Sequence, residues 1–227
     1  MQNTITAVIF DYGQVLVYSP TQEDFYRMAK MFNVSFDEFH KLWQATRNPY
    51  DRGDLTPQEY WLMLGAKANT ALDQEQIELL RKIEIEIWMH FNQGMLDWVT
   101  QLRAAGIKTG LLSNMPTDLA TYLRANAGWL VNFDFLTFSG EVRLIKPDPA
   151  IYQHTLRGLG VSAEQSMFID DKEVNIRAAQ TLGIRGIEFR SIEQLRDPLI
   201  ASGFPVLPAH ADAKSTKRPE QEINLQL

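Results

Sequence analysis

The chain has 227 residues, 45% hydrophobic and 22% charged, with a net charge of −6 and no cysteine. This is enough for one large core, or one core plus a smaller satellite domain. The acid surplus argues against nucleic acid or an anionic membrane surface as partner, and the lack of cysteine removes disulfides, thiolate metal sites and a cysteine nucleophile.

The opening MQNTITAVIF has no basic segment leading into a long apolar one. No run reaches the roughly 18 apolar residues of a membrane span, so a cytoplasmic protein is expected. Ile5 to Phe10 is a short apolar run, mostly β-branched, which ends in Asp11 and then Gly13. It reads as a buried parallel strand whose C-terminal end carries chemistry, or as a strand closed by an ordinary turn Asp.

From Thr21 the spacing becomes helical. Phe25, Met28, Ala29 and Phe32 fall three and four apart, with Thr21 as N-cap. Ser35 to Thr46 repeats the pattern with Phe36, Phe39, Leu42 and Trp43, and Ser35 with Glu38 forms a capping box. Arg47 to Pro57, RNPYDRGDLTP, reads as a breaker-rich loop. Thr56, Pro57 and Glu59 start a third helix, to about Ala68, and Asp73 opens a fourth, to about His90. Residues 18–91 are thus expected as a four-helix insert without strands. Its aromatics, from Phe25 to Trp88, read first as packing core.

Beyond Gly94 strands and helices alternate. Helices are expected at 95–105, 117–127, 150–159, 174–182 and 192–201, and strands at 107–112, 133–138, 167–169 and 185–189. That alternation predicts a parallel sheet with helices on both faces and all strand C-termini on one edge. Residues 1–17 and 92–207 would form this core domain. From Pro208 to 227 the chain is polar and aperiodic, a flexible tail by composition.

The strand ends collect Asp11, Ser113, Asn114, Asp170 and Asp171, and a loop adds Lys146. In an open α/β sheet, ligands bind outside these ends. Carboxylates without thiolates or paired histidines suit a hard cation, Mg²⁺, and Ser113 and Lys146 can hold an anion beside it. The set fits phosphoryl transfer. Each piece has a plainer reading: Ser-Asn or Asp-Asp as helix caps, Lys-Pro-Asp-Pro as a surface turn.

IFDYGQVL, LLSNM, LIKPDPAIY and MFIDDKEVNIRAAQTLG, taken in this order, resemble the four motifs of the haloacid dehalogenase-like hydrolase superfamily over Ala7 to Phe189. The resemblance implies a Rossmann-like α/β core with an inserted four-helix cap. It implies an aspartyl-phosphate on Asp11, and Mg²⁺ held by Asp11, the Gly13 carbonyl, Asp170 and Asp171. Ser113 would donate to phosphate, Lys146 would bridge Asp11 and phosphate, and Asn114 would assist. The expected partner is a small phosphorylated metabolite such as a sugar phosphate, and the expected state is monomer or homodimer. Substrate choice would lie in the cap, with Tyr18, Trp43, Arg47, Asp51 and Arg52 as candidates. Arg47 and Arg52 are the expected substrate-binding pair.

One departure stands out. Most phosphatases of the superfamily carry a second Asp, the general acid–base, two residues after the nucleophile. Here that residue is Gly13, followed by Gln14. Two other readings follow, a haloacid dehalogenase or a non-catalytic binding protein on the same fold.

Overall fold

The computed structural model describes residues 4–210. A first strand, β1 (Ala7–Phe10), leads into a helical segment of α1 (Gln22–Ala29), α2 (Phe36–Asp51), α3 (Pro57–Lys67) and α4 (Gln74–Ile87). The alternating part follows as α5 (Gln93–Ala104), β2 (Lys108–Ser113), α6 (Thr117–Asn126) and β3 (Phe135–Phe138). It continues with α7 (Ser139–Val142), α8 (Pro149–Leu159), β4 (Ser166–Asp170), α9 (Glu173–Thr181), β5 (Arg185–Glu188) and α10 (Ile192–Ala201).

The five strands form one parallel sheet in the order β3-β2-β1-β4-β5. The central strand β1 is fully buried, which is why its sequence is a continuous apolar run rather than an alternating one. Its side chains divide between the two faces. Val8 and Phe10 pack with Trp98 of α5, Leu119 of α6 and Leu195 of α10. Ala7 and Ile9 pack with Tyr152 and Leu156 of α8 and Ile176 of α9. The expected α/β architecture with helices on both faces is therefore present. Ends shift by a residue or two, and the short α7 has no counterpart in the sequence-based expectation.

The helical segment builds a hydrophobic cluster of its own, with Phe25, Phe32, Phe39, Tyr50, Tyr60, Trp61, Leu80 and Ile87 at its centre. Capping boxes at Thr21, Thr56 and Asp73 start three of its helices. The Arg47–Pro57 loop is corrected in its first half, because α2 runs on through Pro49 to Asp51. Proline removes one backbone donor and strains the turn before it. Tyr50, stacked on Tyr60 with ring centroids 4.1 Å apart, and Arg47, buried in an ion cluster, supply tertiary contacts that outweigh this. Of the predicted tail, residues 211–227 lie outside the described residues. Among the described residues no helix is long and apolar enough to cross a membrane.

The segment meets the sheet domain at the C-terminal end of α2. Ser139 Oγ donates to the Asp51 carbonyl, and Arg81 Nε of α4 reaches Asp118 of α6 at 2.6 Å. Gly53, at φ +79°, lies so close to Gly140 that a Cβ there would stand 2.4 Å from the Gly140 carbonyl oxygen. Both the dihedral and the space exclude a side chain. Gly53→Ala is predicted to cost at least about 2 kcal/mol. Urea melts of the variant would measure it, and an unchanged midpoint would refute the close approach.

Candidate active site

β1 pairs with β2 on one side and β4 on the other, with Phe10 opposite both Leu111 and Ile169. The residues that follow are thereby brought together: Asp11 after β1, Ser113 at the end of β2 and Asp170 at the end of β4. Carboxylate oxygens of Asp11, Asp170 and Asp171 lie within 4.8 Å of one another. Lys146, from the loop before α8, is buried between two of them. Its Nζ is 2.8 Å from Asp11 Oδ1 and 2.7 Å from Asp170 Oδ2.

Neighbouring groups hold each member in place. The Tyr12 backbone N–H donates to Asp11 Oδ1 at 2.7 Å. Asp170 accepts from the Lys172 backbone at 2.8 Å and from Asn175 Nδ2 at 2.9 and 3.1 Å. Asn114 donates to the Lys146 carbonyl at 3.0 Å and accepts from the Lys146 N–H at 2.9 Å, so its amide clamps the lysine loop. Gln14 Nε2 donates to Asp171 Oδ2 at 2.6 Å, while its Oε1 accepts from Ser19 Oγ at 2.8 Å.

Two buried carboxylates share one ammonium here, so charge is short by one. Burial pushes the Asp11 carboxyl up to about 7, against the pull of Lys146 and with the push of Asp170 and Asp171. Burial acts upward on Asp170 too, but Lys146 and the bonds from Lys172 and Asn175 hold it below the ordinary range. Burial opposes the Lys146 charge, and the two carboxylates outweigh it, so the ammonium is retained above its ordinary value. Asp171 is raised by burial and by Asp170. Such a site gains from an added cation.

Asp11, Gly13, Ser113, Asn114, Lys146 and Asp171 open on a cleft of about 540 Å³, and Asp170 reaches it through Lys146. The helical segment forms the facing wall with Phe25, His40, Trp43, Arg47 and Asp51. Arg47 is thus at the cleft, though on α2 rather than in a loop, and it is already bound. Its Nη2 is 2.7 Å from Asp51, Nη1 pairs with Glu84, and its guanidinium lies 4.5 Å from the Trp43 ring centroid. Arg52 does not join the site. It is exposed, pairs with Asp54 and is absent from the cleft lining, as is Tyr18.

Gln14, Lys172, Trp88 and Glu84 were not anticipated as site residues. Glu84 had a signal: it falls in register with Ile77, Leu80 and Ile87 on the apolar stripe of α4, where a charge needs a buried partner. Gln14, at φ +60°, had none. A Cβ at Gly13 would touch the Trp88 ring at 3.5 Å, so an indole occupies the space beside the missing acid.

Removing the ammonium strands two buried carboxyls. Lys146→Met is predicted to cost about 3–5 kcal/mol at neutral pH without divalent cations. The carboxyls left behind have raised folded-state values, so stability is retained at low pH and lost as pH rises past the ordinary carboxylate range. The penalty relative to wild type should then be smaller at pH 5 than at pH 8. Urea melts at both values test this, and an equal penalty would contradict it.

A family model for haloacid dehalogenase-like hydrolases matches residues 5–183. Sesquiterpene phosphatase astK of Aspergillus oryzae is 25% identical over 189 residues, covering 82% of this chain and 91% of the relative. Phosphoserine phosphatase of Thermus thermophilus is 30% identical over 91 residues, covering 40% of this chain and 36% of the relative. Among solved structures, the family enzyme BT-2542 of Bacteroides thetaiotaomicron superposes with TM-score 0.71 at 22% identity, covering 83% of this chain and 95% of that one. An L-2-haloacid dehalogenase of Xanthobacter autotrophicus superposes with TM-score 0.60 at 18% identity, covering 90% and 85%. The strand-end carboxylates, the sheet order and the family match agree, and the chain belongs to the haloacid dehalogenase-like hydrolases.

Proposed function

We propose that this protein is a Mg²⁺-dependent phosphatase of a small phosphorylated metabolite, with Asp11 as nucleophile and the helical segment as a cap over the cleft. The observation that carries this reading is the cluster of Asp11, Asp170 and Asp171 around Lys146, three carboxylates against one ammonium.

The donor set fits the metal. It is all oxygen, with no thiolate or imidazole among the clustered ligand atoms, which suits a hard divalent cation. Asp11, Asp170, Asp171 and the Gly13 carbonyl would hold it. Bound there, Mg²⁺ would neutralise the carboxylates and the charge of the transferring phosphoryl group. BT-2542 has been solved with magnesium and inorganic phosphate, and two of the relatives named above are phosphatases, which supports the reading.

The chain's own residues then do the following. The Asp11 carboxylate attacks phosphorus as the bond to the leaving oxygen breaks, giving an acyl phosphate on Asp11. Lys146 orients Asp11 and offsets phosphoryl charge. Ser113, at the strand end beside it, donates to a phosphoryl oxygen, and Asn114 keeps Lys146 in place. Water then cleaves the acyl phosphate, restoring Asp11 and releasing inorganic phosphate. Apart from the Arg47–Asp51 pair the facing wall is aromatic and polar, with Phe25, His40, Trp43, Gln44 and Asn48, and its one arginine is already paired twice. That wall favours an uncharged leaving group, such as a sugar, over one with a second anionic arm.

Hydrolysis of an aryl phosphate with Mg²⁺ tests the proposal. Asp11→Asn should lower kcat at least about 10³-fold while the protein stays folded. EDTA should abolish turnover and excess Mg²⁺ should restore it. An Asp11→Asn variant of full activity would refute the acyl phosphate. Chloride release from 2-chloropropionate without Mg²⁺ would instead identify a dehalogenase.

A further inference from the structure

Gly13 leaves the departing oxygen without an acid from the β1 end. The opposite wall of the cleft holds one. Asp51, the last residue of α2, lines the same cleft as Asp11, Ser113 and Lys146. Its own carbonyl accepts a bond from Ser139 Oγ, directly after β3, and Gly53 is seated against Gly140. The position of Asp51 over the strand ends is therefore fixed by backbone contacts, not by its side chain alone.

The Asp51 side chain belongs to a cluster of one cation and two acids. Arg47 pairs with Asp51 at 2.7 Å and with Glu84, and Tyr50 Oη donates to Glu84 at 3.3 Å. The rings of Trp43, Tyr50 and Tyr60 surround the guanidinium at 4.5, 5.0 and 5.4 Å. With both acids ionised the cluster would carry a net negative charge between aromatic rings, which is costly. One proton shared by the two carboxyls removes that charge. Burial lifts both carboxyls above their ordinary values, against the pull of Arg47, and Lys172 pulls Asp51 the other way from beyond β4. Of the two, Glu84 has a side chain only 3% exposed and is absent from the cleft lining, whereas Asp51 is 14% exposed and faces the cleft. The proton can reach substrate only through Asp51.

We propose that Asp51 is the general acid and base of the reaction, a catalytic residue carried by the helical segment in place of the carboxyl missing at position 13. The proposal rests on the phosphatase reading. As the bond from Asp11 to phosphorus forms and the bond to the leaving group breaks, the Asp51 carboxyl gives its proton to the leaving oxygen, which departs as an alcohol. The Asp51 carboxylate then takes a proton from the water that attacks the acyl phosphate. The bond between phosphorus and Asp11 breaks, inorganic phosphate leaves, and the cluster regains its proton.

The test compares two substrates. Dinitrophenolate leaves phosphorus without a proton, while phenolate gains from one. With Mg²⁺, Asp51→Asn should lose about 10²–10³-fold in the first-turnover release of phenol from phenyl phosphate and about threefold or less in that of 2,4-dinitrophenolate from its ester, while hydrolysis of the acyl phosphate slows alike with both. Asp11→Asn should lose activity on both. Glu84→Gln removes the competing acid while keeping Asp51, so the alkaline limb of the phenyl phosphate pH profile should move to lower pH. Equal first-turnover losses on both substrates for Asp51→Asn would make the residue structural and overturn the proposal, with the phosphatase reading intact. If Asp51→Asn does not fold, an unmoved alkaline limb in Glu84→Gln overturns it. A wild-type protein that hydrolyses neither ester defeats the phosphatase reading and this proposal with it.

Discussion

The Lys146 ammonium between Asp11 and Asp170 is the contact on which the rest of the site depends. Three strands are needed to make it. β1 and β4 deliver the two acids side by side because they are parallel neighbours in register. β2 delivers Asn114, whose amide closes on the lysine backbone from both sides. An antiparallel neighbour would send one acid to the opposite edge of the sheet. The buried apolar run of β1 and the helices on both faces are thus what allow charge to be concentrated at one end of the sheet.

A second ion cluster on the helical segment has the same composition, one cation against two carboxyls: Arg47 with Asp51 and Glu84. The two clusters face each other across one cleft. Their surroundings set different means of balance. At the strand ends the carboxylate oxygens lie within 4.8 Å of one another and open to the cleft, an arrangement a divalent cation can bridge. Around Arg47 the walls are aromatic rings and both acids are engaged by the guanidinium, so a proton is the smaller charge that fits.

The strand-end residues are legible because each follows an apolar run and precedes a glycine or a helix start. Asp11, Ser113, Asp170 and Asp171 read from that pattern and Lys146 from the Lys-Pro-Asp-Pro loop, and the structure brings the five together. The facing wall was less legible because its order comes from contacts far apart in sequence. Arg47 and Asp51 read as loop residues beside Pro49, since Glu84 and Tyr60, which hold that turn helical, lie in other helices. Arg52 shared their apparent context yet turned outward to Asp54, because α2 ends one residue earlier. Glu84 was readable as an acid on an apolar stripe, but nothing local named its partner.

Placing nucleophile and acid on separate packing units has a mechanical consequence. Asp11 is fixed by the sheet, whose strands share one core. Asp51 is fixed by α2, whose rings belong to a different core, joined to the sheet domain at Ser139, Gly140 and Asp118. Proton transfer needs heavy atoms within about 3 Å, whereas attack on phosphorus depends only on the sheet side. Small displacements of the helical segment would then alter protonation first and nucleophilic attack last. The Ser139 bond falls on the Asp51 carbonyl itself, and the close approach of Gly53 to Gly140 lies two residues further on, so together they limit how far the acid can move from the strand ends.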